Sequence, residues 1–236
     1  VGSEMCIRDR YMKKFFLLTL LSVLFATLSA YSNNSEPQRK YSTYYYQRAT
    51  LFEKLPVDSD DILFVGNSIT DGGEWGELFD NPNVKNRGIS GDTTYGVYDR
   101  ISTLLKGKPA QIFLMIGINN VPQGENAEVI TQGVRRIVSK IKKESPDTEI
   151  LIQSVLPVNP DLDMFHGHTS KWKMIPEINS SLKKMASEEN LKYIDLFEKF
   201  VNDEGKMNVK YTNDGLHLLG EGYMLWKSIV EPYIRK

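Results

Sequence analysis

The stretch Ile62-Leu63-Phe64-Val65-Gly66-Asn67-Ser68-Ile69-Thr70 decides the fold class. Its apolar residues run together without alternation, as they do in a strand covered on both faces, and a glycine then lets the backbone turn sharply. A serine follows where a helix would begin. A strand of this kind belongs to a parallel sheet, so the same unit should recur along the chain, and it does. Ile112–Ile116 and Ile150–Val155 are again short, β-branched and continuous, and shorter strands are expected at Val84–Asn86 and Tyr193–Leu196. Between them Val129, Ile130, Val134, Ile137, Val138 and Ile141 recur at helical spacing up to the stop at Ser145-Pro146, and Trp172, Ile175, Ile178, Leu182 and Met185 form a second set. A short amphipathic helix is expected over residues 41–54. Joined by right-handed crossovers, these units predict an α/β chain: a three-layer α/β/α sandwich around a five-stranded parallel sheet. Ligands of such sheets sit at the carboxyl ends of the strands.

The 236 residues suit one such domain, and an apolar content of 41% with 25% charged residues excludes a disordered or collagen-like chain. The beginning of the chain reads differently. Met12 to Ala30, MKKFFLLTLLSVLFATLSA, has two lysines, an apolar run and small residues at its end, the outline of a secretory signal. Its apolar run is shorter than the roughly 20 residues of a spanning helix. Residues 1–11 include VGSEMCIRDR, which resembles a translated sequencing adapter and is set aside as an artefact, and residues 31–40 read as a flexible leader. The domain is therefore expected over 41–236, in an exported protein of the periplasm or exterior. Cys6, the single cysteine, falls in the adapter-like piece, which leaves a chain starting near Tyr31 without thiols, as suits an oxidising compartment. Removing the first thirty residues takes the formal net charge from -1 to about -3. With no basic stripe interleaved with aromatics, a nucleic-acid partner is not expected.

Four segments hold residues suited to chemistry, and each has a plain structural reading as well. In Gly66-Asn67-Ser68-Ile69-Thr70 the serine hydroxyl would be exposed at the active edge of the sheet, although a serine there also caps helices. Asn86-Arg87-Gly88-Ile89-Ser90-Gly91-Asp92-Thr93-Thr94 could be a tight turn, or could bring a glycine N–H close to a reacting carbonyl. Gly117-Ile118-Asn119-Asn120 supplies amides that donate without titrating, and asparagine is also common in turns. Asp214-Gly215-Leu216-His217 places a carboxylate three residues from an imidazole, with Gly215 between them to free the turn. A serine hydroxyl needs a base such as histidine to become a nucleophile, and a carboxylate to fix the tautomer of that base. Of the three histidines, only His217 has a carboxylate three residues before it with a glycine between them.

Taken in order, GNSIT, NRGISGDTT, IGINN and DGLH resemble the sequence blocks of SGNH, or GDSL-like, hydrolases. The phrases NRGISGDTTYGVYDRI and EWGELF are similar to catalytic subunits of platelet-activating-factor acetylhydrolase and their bacterial relatives, with a likeness over roughly residues 60–234. The resemblance implies a flavodoxin-like fold and a serine esterase without metal or cofactor. It implies Ser68 as nucleophile, His217 as base and then acid, and Asp214 as its orienting partner. The oxyanion would be held by the backbone N–H groups of Ser68 and Gly91 and by the Asn119 side chain. Asn67 departs from the family, which usually has aspartate there. Short acyl groups are implied, with a carbohydrate O-acetyl ester as the first substrate. A lysophospholipid or thioester is the enzymatic alternative, and an inactive glycan-binding relative is the rival of another class.

Two other features of the chain admit more than one reading. His166 and His168 lack the surrounding ligands of a metal site, and the Pro157–Lys171 loop that carries them is expected to be a substrate-contacting lid. The tyrosines 41, 44, 45 and 46 are expected to pack the first helix onto the domain rather than to bind sugar.

Overall fold

A computed structural model describes residues 40–235. The adapter-like residues, the export signal and all of the leader but Lys40 lie outside the described residues. Five parallel strands form the sheet: β1 (Ile62–Gly66), β2 (Val84–Gly88), β3 (Gln111–Met115), β4 (Glu149–Gln153) and β5 (Lys192–Ile194), in the order β2-β1-β3-β4-β5. The helices between them are α1 (Thr43–Phe52), α2 (Ser68–Asp71), α3 (Trp75–Leu78), α4 (Thr94–Leu104), α5 (Ala127–Glu144), α6 (His166–Thr169), α7 (Ile175–Glu188), α8 (Phe197–Phe200) and α9 (Gly220–Val230). This is the expected α/β sandwich of flavodoxin-like strand order.

Every residue of β1 and β3 is buried, which is why their apolar runs do not alternate. Phe64 and Phe113 are register partners and so share a face; their rings stack at 4.8 Å. Trp75 of α3 stacks on Phe64 at 4.1 Å, and Trp226 of α9 meets Trp75 edge-on at 4.7 Å. The other face is covered by α4, α5 and α7, where α5 buries Ile130, Val134, Ile137, Val138 and Ile141. Val129, expected on that apolar stripe, is exposed instead.

Differences from the expected elements have physical causes. β2 runs two residues past Asn86, because pairing with β1 holds it although its middle is polar. The Asn86 amide is itself used, donating to the carbonyls of Thr70, Asp71 and Gly73 at 2.8 to 3.1 Å. β4 stops at Gln153 rather than Val155, since the Asn179 side chain takes both backbone groups of Val155 at 2.8 Å. β5 ends at Ile194, and the Ser154 hydroxyl then accepts from the N–H groups of Leu196 and Phe197. Trp172 lies in a separate single turn before α7, which starts at Ile175 with Pro176 in its first turn, where the missing N–H is harmless. Tyr45 packs α1 as expected: its ring is buried and its hydroxyl donates to the Gly96 carbonyl at 2.9 Å.

The register sets the site. Gly66 pairs with both Gly88 and Met115, so the chain leaves β1, β2 and β3 at one level of the sheet. Beside β1 the strand order reverses, and such a reversal opens a crevice at the carboxyl ends. Among the described residues no helix is long and apolar enough to cross a membrane.

Candidate active site

Gly66 ends β1 with no room for a side chain, because a Cβ there would lie 2.1 Å from Thr70 Oγ1 and 2.5 Å from the Met115 carbonyl. Asn67, 1% exposed, accepts from the Ile69 N–H through Oδ1 at 3.0 Å and so caps α2. Ser68 is thereby placed as the first residue of a helix, where its own N–H has no carbonyl below it in the turn. The Asn67 departure thus keeps the one function visible for this side chain, that of a hydrogen-bond acceptor.

Asp214 and His217 come from the loop before α9. Asp214 Oδ1 accepts from the backbone N–H groups of Leu216 and His217, both at 2.8 Å, and Oδ2 lies 2.8 Å from His217 Nδ1. Gly215 allows this turn with φ +81, and a Cβ on it would lie 2.2 Å from the Asn159 carbonyl. Burial pushes the Asp214 carboxyl up, but the N–H groups of His217 and Leu216 and the His217 ring outweigh that and hold it below the usual carboxylate range. An ionised carboxylate only accepts, so Nδ1 carries the imidazole proton and the Nε2 lone pair faces outward. Nε2 lies 3.0 Å from Ser68 Oγ, across 149 positions of chain. A hydroxyl, an imidazole and a carboxylate joined in this way can pass a proton from the hydroxyl as it attacks an electrophile.

The loops after β2 and β3 complete the crevice. Gly91 has φ +80 and open space where a Cβ would stand, so its conformation calls for glycine and its surroundings stay clear. Among the described residues no acceptor engages its N–H. Asp92, next to it, is buried against Arg100 Nε at 2.8 Å. Burial pushes that carboxyl up to about 6, against the pull of Arg100. Asn119 donates from Nδ2 to the Asp92 carbonyl at 2.9 Å, which leaves the second hydrogen of the amide available. Asn120, wholly buried, is spent on Thr94 and Glu125 and serves the structure. Tyr44 of α1 borders the site, donating to Asp71 Oδ2 at 2.7 Å. The same oxygen accepts from the Ser90 hydroxyl at 3.1 Å.

The structure therefore brings Ser68, Asp214 and His217 into one hydrogen-bonded chain and joins Asn119 to the loop of Gly91. Two residues of the Pro157–Lys171 loop, neither assigned a role in the site from sequence, stand beside these groups. His168 Nε2 lies 2.9 Å from Asn119 Oδ1, and the Phe165 ring stands edge-on to the His217 ring at 5.0 Å. The only signal was the length of the loop that carries them, which folds into the turn Pro160–Leu162 and α6. Among the described residues no group of three or more histidine, cysteine, aspartate or glutamate side chains could hold a metal.

Residues 64–225 match the sequence pattern of the GDSL-like lipase/acylhydrolase family. The chain belongs to that family. This GDSL-family chain is 31% identical over 169 residues to platelet-activating factor acetylhydrolase IB subunit alpha2 of Rattus norvegicus, covering 69% of its own length and 71% of the relative's. It superposes on a chain from Streptococcus pneumonia described as a platelet activating factor with a TM-score of 0.75 and 26% identity, over 81% of its own length and 93% of the other's. An acetylxylan esterase of Geobacillus stearothermophilus shares the fold with a TM-score of 0.60 at 19% identity, over 76% and 95% of the two chains. The GDSL-family chain is accordingly an ester hydrolase.

Proposed function

We propose that this GDSL-family hydrolase is an exported serine esterase that removes short acyl groups, acetyl above all, from carbohydrates. The observation that carries the reading is the continuous contact of Ser68 Oγ with His217 Nε2 at 3.0 Å and of His217 Nδ1 with Asp214 at 2.8 Å. In the proposed reaction Ser68 Oγ attacks the ester carbonyl carbon and its proton passes to His217 Nε2. Asp214 stabilises the imidazolium. The oxyanion takes hydrogen bonds from the N–H groups of Ser68 and Gly91 and from Asn119 Nδ2, which face charge that exists only in the tetrahedral state. The carbon–oxygen bond to the alcohol breaks, and the alcohol leaves with the proton from Nε2. Water then gives a proton to His217 Nε2 and attacks the acyl carbon; the bond to Ser68 Oγ breaks, Oγ takes the proton back from Nε2, and the acid leaves.

The acetyl preference is supported by the names of relatives, an acetylhydrolase and an acetylxylan esterase. Export is supported by the signal-like run Met12–Ala30. The experiment is to compare p-nitrophenyl acetate with p-nitrophenyl octanoate, and then with acetylated xylooligosaccharide, on a chain beginning at Tyr31. Acetate should be turned over faster. Faster octanoate turnover would overturn the acetylesterase reading in favour of a lysophospholipase or thioesterase, for which the exposed Met164 and Phe165 would offer an apolar rim.

A further inference from the structure

We propose that His168 is a positioning residue that holds the Asn119 carboxamide in the orientation from which it donates to the oxyanion. This rests on the esterase reading above and deepens it.

The hydrogen bonds themselves fix the orientation. The Asp92 carbonyl can only accept, so the Asn119 atom facing it at 2.9 Å is the amide nitrogen. The atom facing His168 Nε2 at 2.9 Å is then the amide oxygen, and His168 must present an N–H to it. One hydrogen of the Asn119 amide is thus engaged by Asp92, the oxygen is engaged by His168, and the remaining hydrogen is aimed by the other two contacts. Rotation of the amide away from that position would break both bonds. A donor on the carbonyl oxygen also polarises the amide and strengthens its N–H as a donor.

The imidazole is held in place by the packing of α6 on the turn Ile118–Gln123 that carries Asn119. A Cβ on Gly167 would stand 3.1 Å from Pro122 Cβ, so the two turns are in close contact there. Lys171 Nζ donates to the Val121 carbonyl of the same turn at 3.0 Å, and the Thr169 hydroxyl donates to the Met164 carbonyl at 2.9 Å. The histidine is therefore on a braced element rather than a free loop tip. Burial, and then the neighbouring His217, hold the His168 ring below the usual imidazole range. A neutral ring carries its single proton on Nε2, as the Asn119 oxygen requires, and places no second cation beside His217 when that residue becomes charged.

The test is a double-mutant cycle on p-nitrophenyl acetate hydrolysis with His168→Ala, Asn119→Ala and the pair, together with His168→Gln. His168→Ala should lower kcat on the order of 10-fold with KM little changed, a part of the 10²- to 10³-fold typical of losing the oxyanion donor itself. His168→Gln keeps an N–H donor and should recover most of that loss. In the Asn119→Ala background His168→Ala should have no further effect. His168→Leu, close in bulk, carries the same test if the alanine variant folds poorly. Wild-type kcat in His168→Ala, or losses that multiply with those of Asn119→Ala, would overturn the inference. Full turnover in a Ser68→Ala control would instead overturn the esterase reading beneath it, and this inference with it.

Discussion

Arg100 Nε donates to the Asp92 carboxylate at 2.8 Å with both side chains almost wholly enclosed, while its Nη2 reaches the Gly66 carbonyl at 3.2 Å. One guanidinium thus ties the end of β1 to the loop of Gly91. Arg100→Leu should destabilise the fold by about 3–5 kcal/mol, since it leaves a carboxylate buried without its cation. The pH dependence has a definite sign. A carboxyl raised to about 6 in the folded state binds protons there that the unfolded chain, at about 3.9, has lost. Its contribution to stability is greatest below about pH 4 and is lost as pH rises through 6. In Arg100→Leu the loss should be steeper, and denaturant melts at pH 4 and pH 7 measure it.

Asn67→Asp should leave activity within a few-fold of wild type, because Oδ1 acts only as an acceptor for the Ile69 N–H. Asn67→Ala removes that cap and should destabilise by about 1 kcal/mol. A comparison of melts and p-nitrophenyl acetate rates separates the two.

Asp214→Asn should reduce kcat by about 10⁴-fold, as the amide can stabilise the wrong tautomer of His217. The folded-state carboxyl lies below its ordinary range, so its contribution to stability is present above the unfolded value of about 3.9 and is lost as pH falls through the folded value. The stability advantage of the wild-type enzyme over Asp214→Asn should therefore shrink as pH falls below about 4, which acid denaturant melts of the two proteins measure.

Phe165 is a bulky residue with φ +50, in the left-handed region; the residue is 41% exposed and its ring lies beside His217. Holding that backbone costs roughly 1–2 kcal/mol, and strain of this kind gathers at functional sites. Phe165→Gly should leave the melting temperature unchanged or higher. It should raise KM for aryl and sugar esters, as the ring stands edge-on to the His217 ring at 5.0 Å.

What the chain revealed before folding follows from the range of its interactions. Ile62–Val65 and Ile112–Ile116 were legible as strands because burial on both faces leaves a local, continuous signature. β2 extends past the expected Val84–Asn86 to Arg87 and Gly88, whose side chains carry no strand signal, because pairing with Val65 and Gly66 of β1 keeps them in the sheet. Trp172 kept the helical spacing of α7 yet fell outside it, since Pro176 sets where that helix begins. Ser68 and the Asp214–His217 pair sit in short motifs whose spacing already suggests their chemistry. His168 gave no such signal, because its partner is 49 positions away and the contact depends on a loop that turns through the left-handed conformation of Phe165.

The most direct measurement is covalent labelling of the chain by a fluorophosphonate, with the modified residue located by peptide mass spectrometry. A single adduct on Ser68, absent from Ser68→Ala and slowed in His217→Ala, is the expected result. Labelling of another serine, or an unmodified Ser68 in protein that hydrolyses p-nitrophenyl acetate, would contradict it.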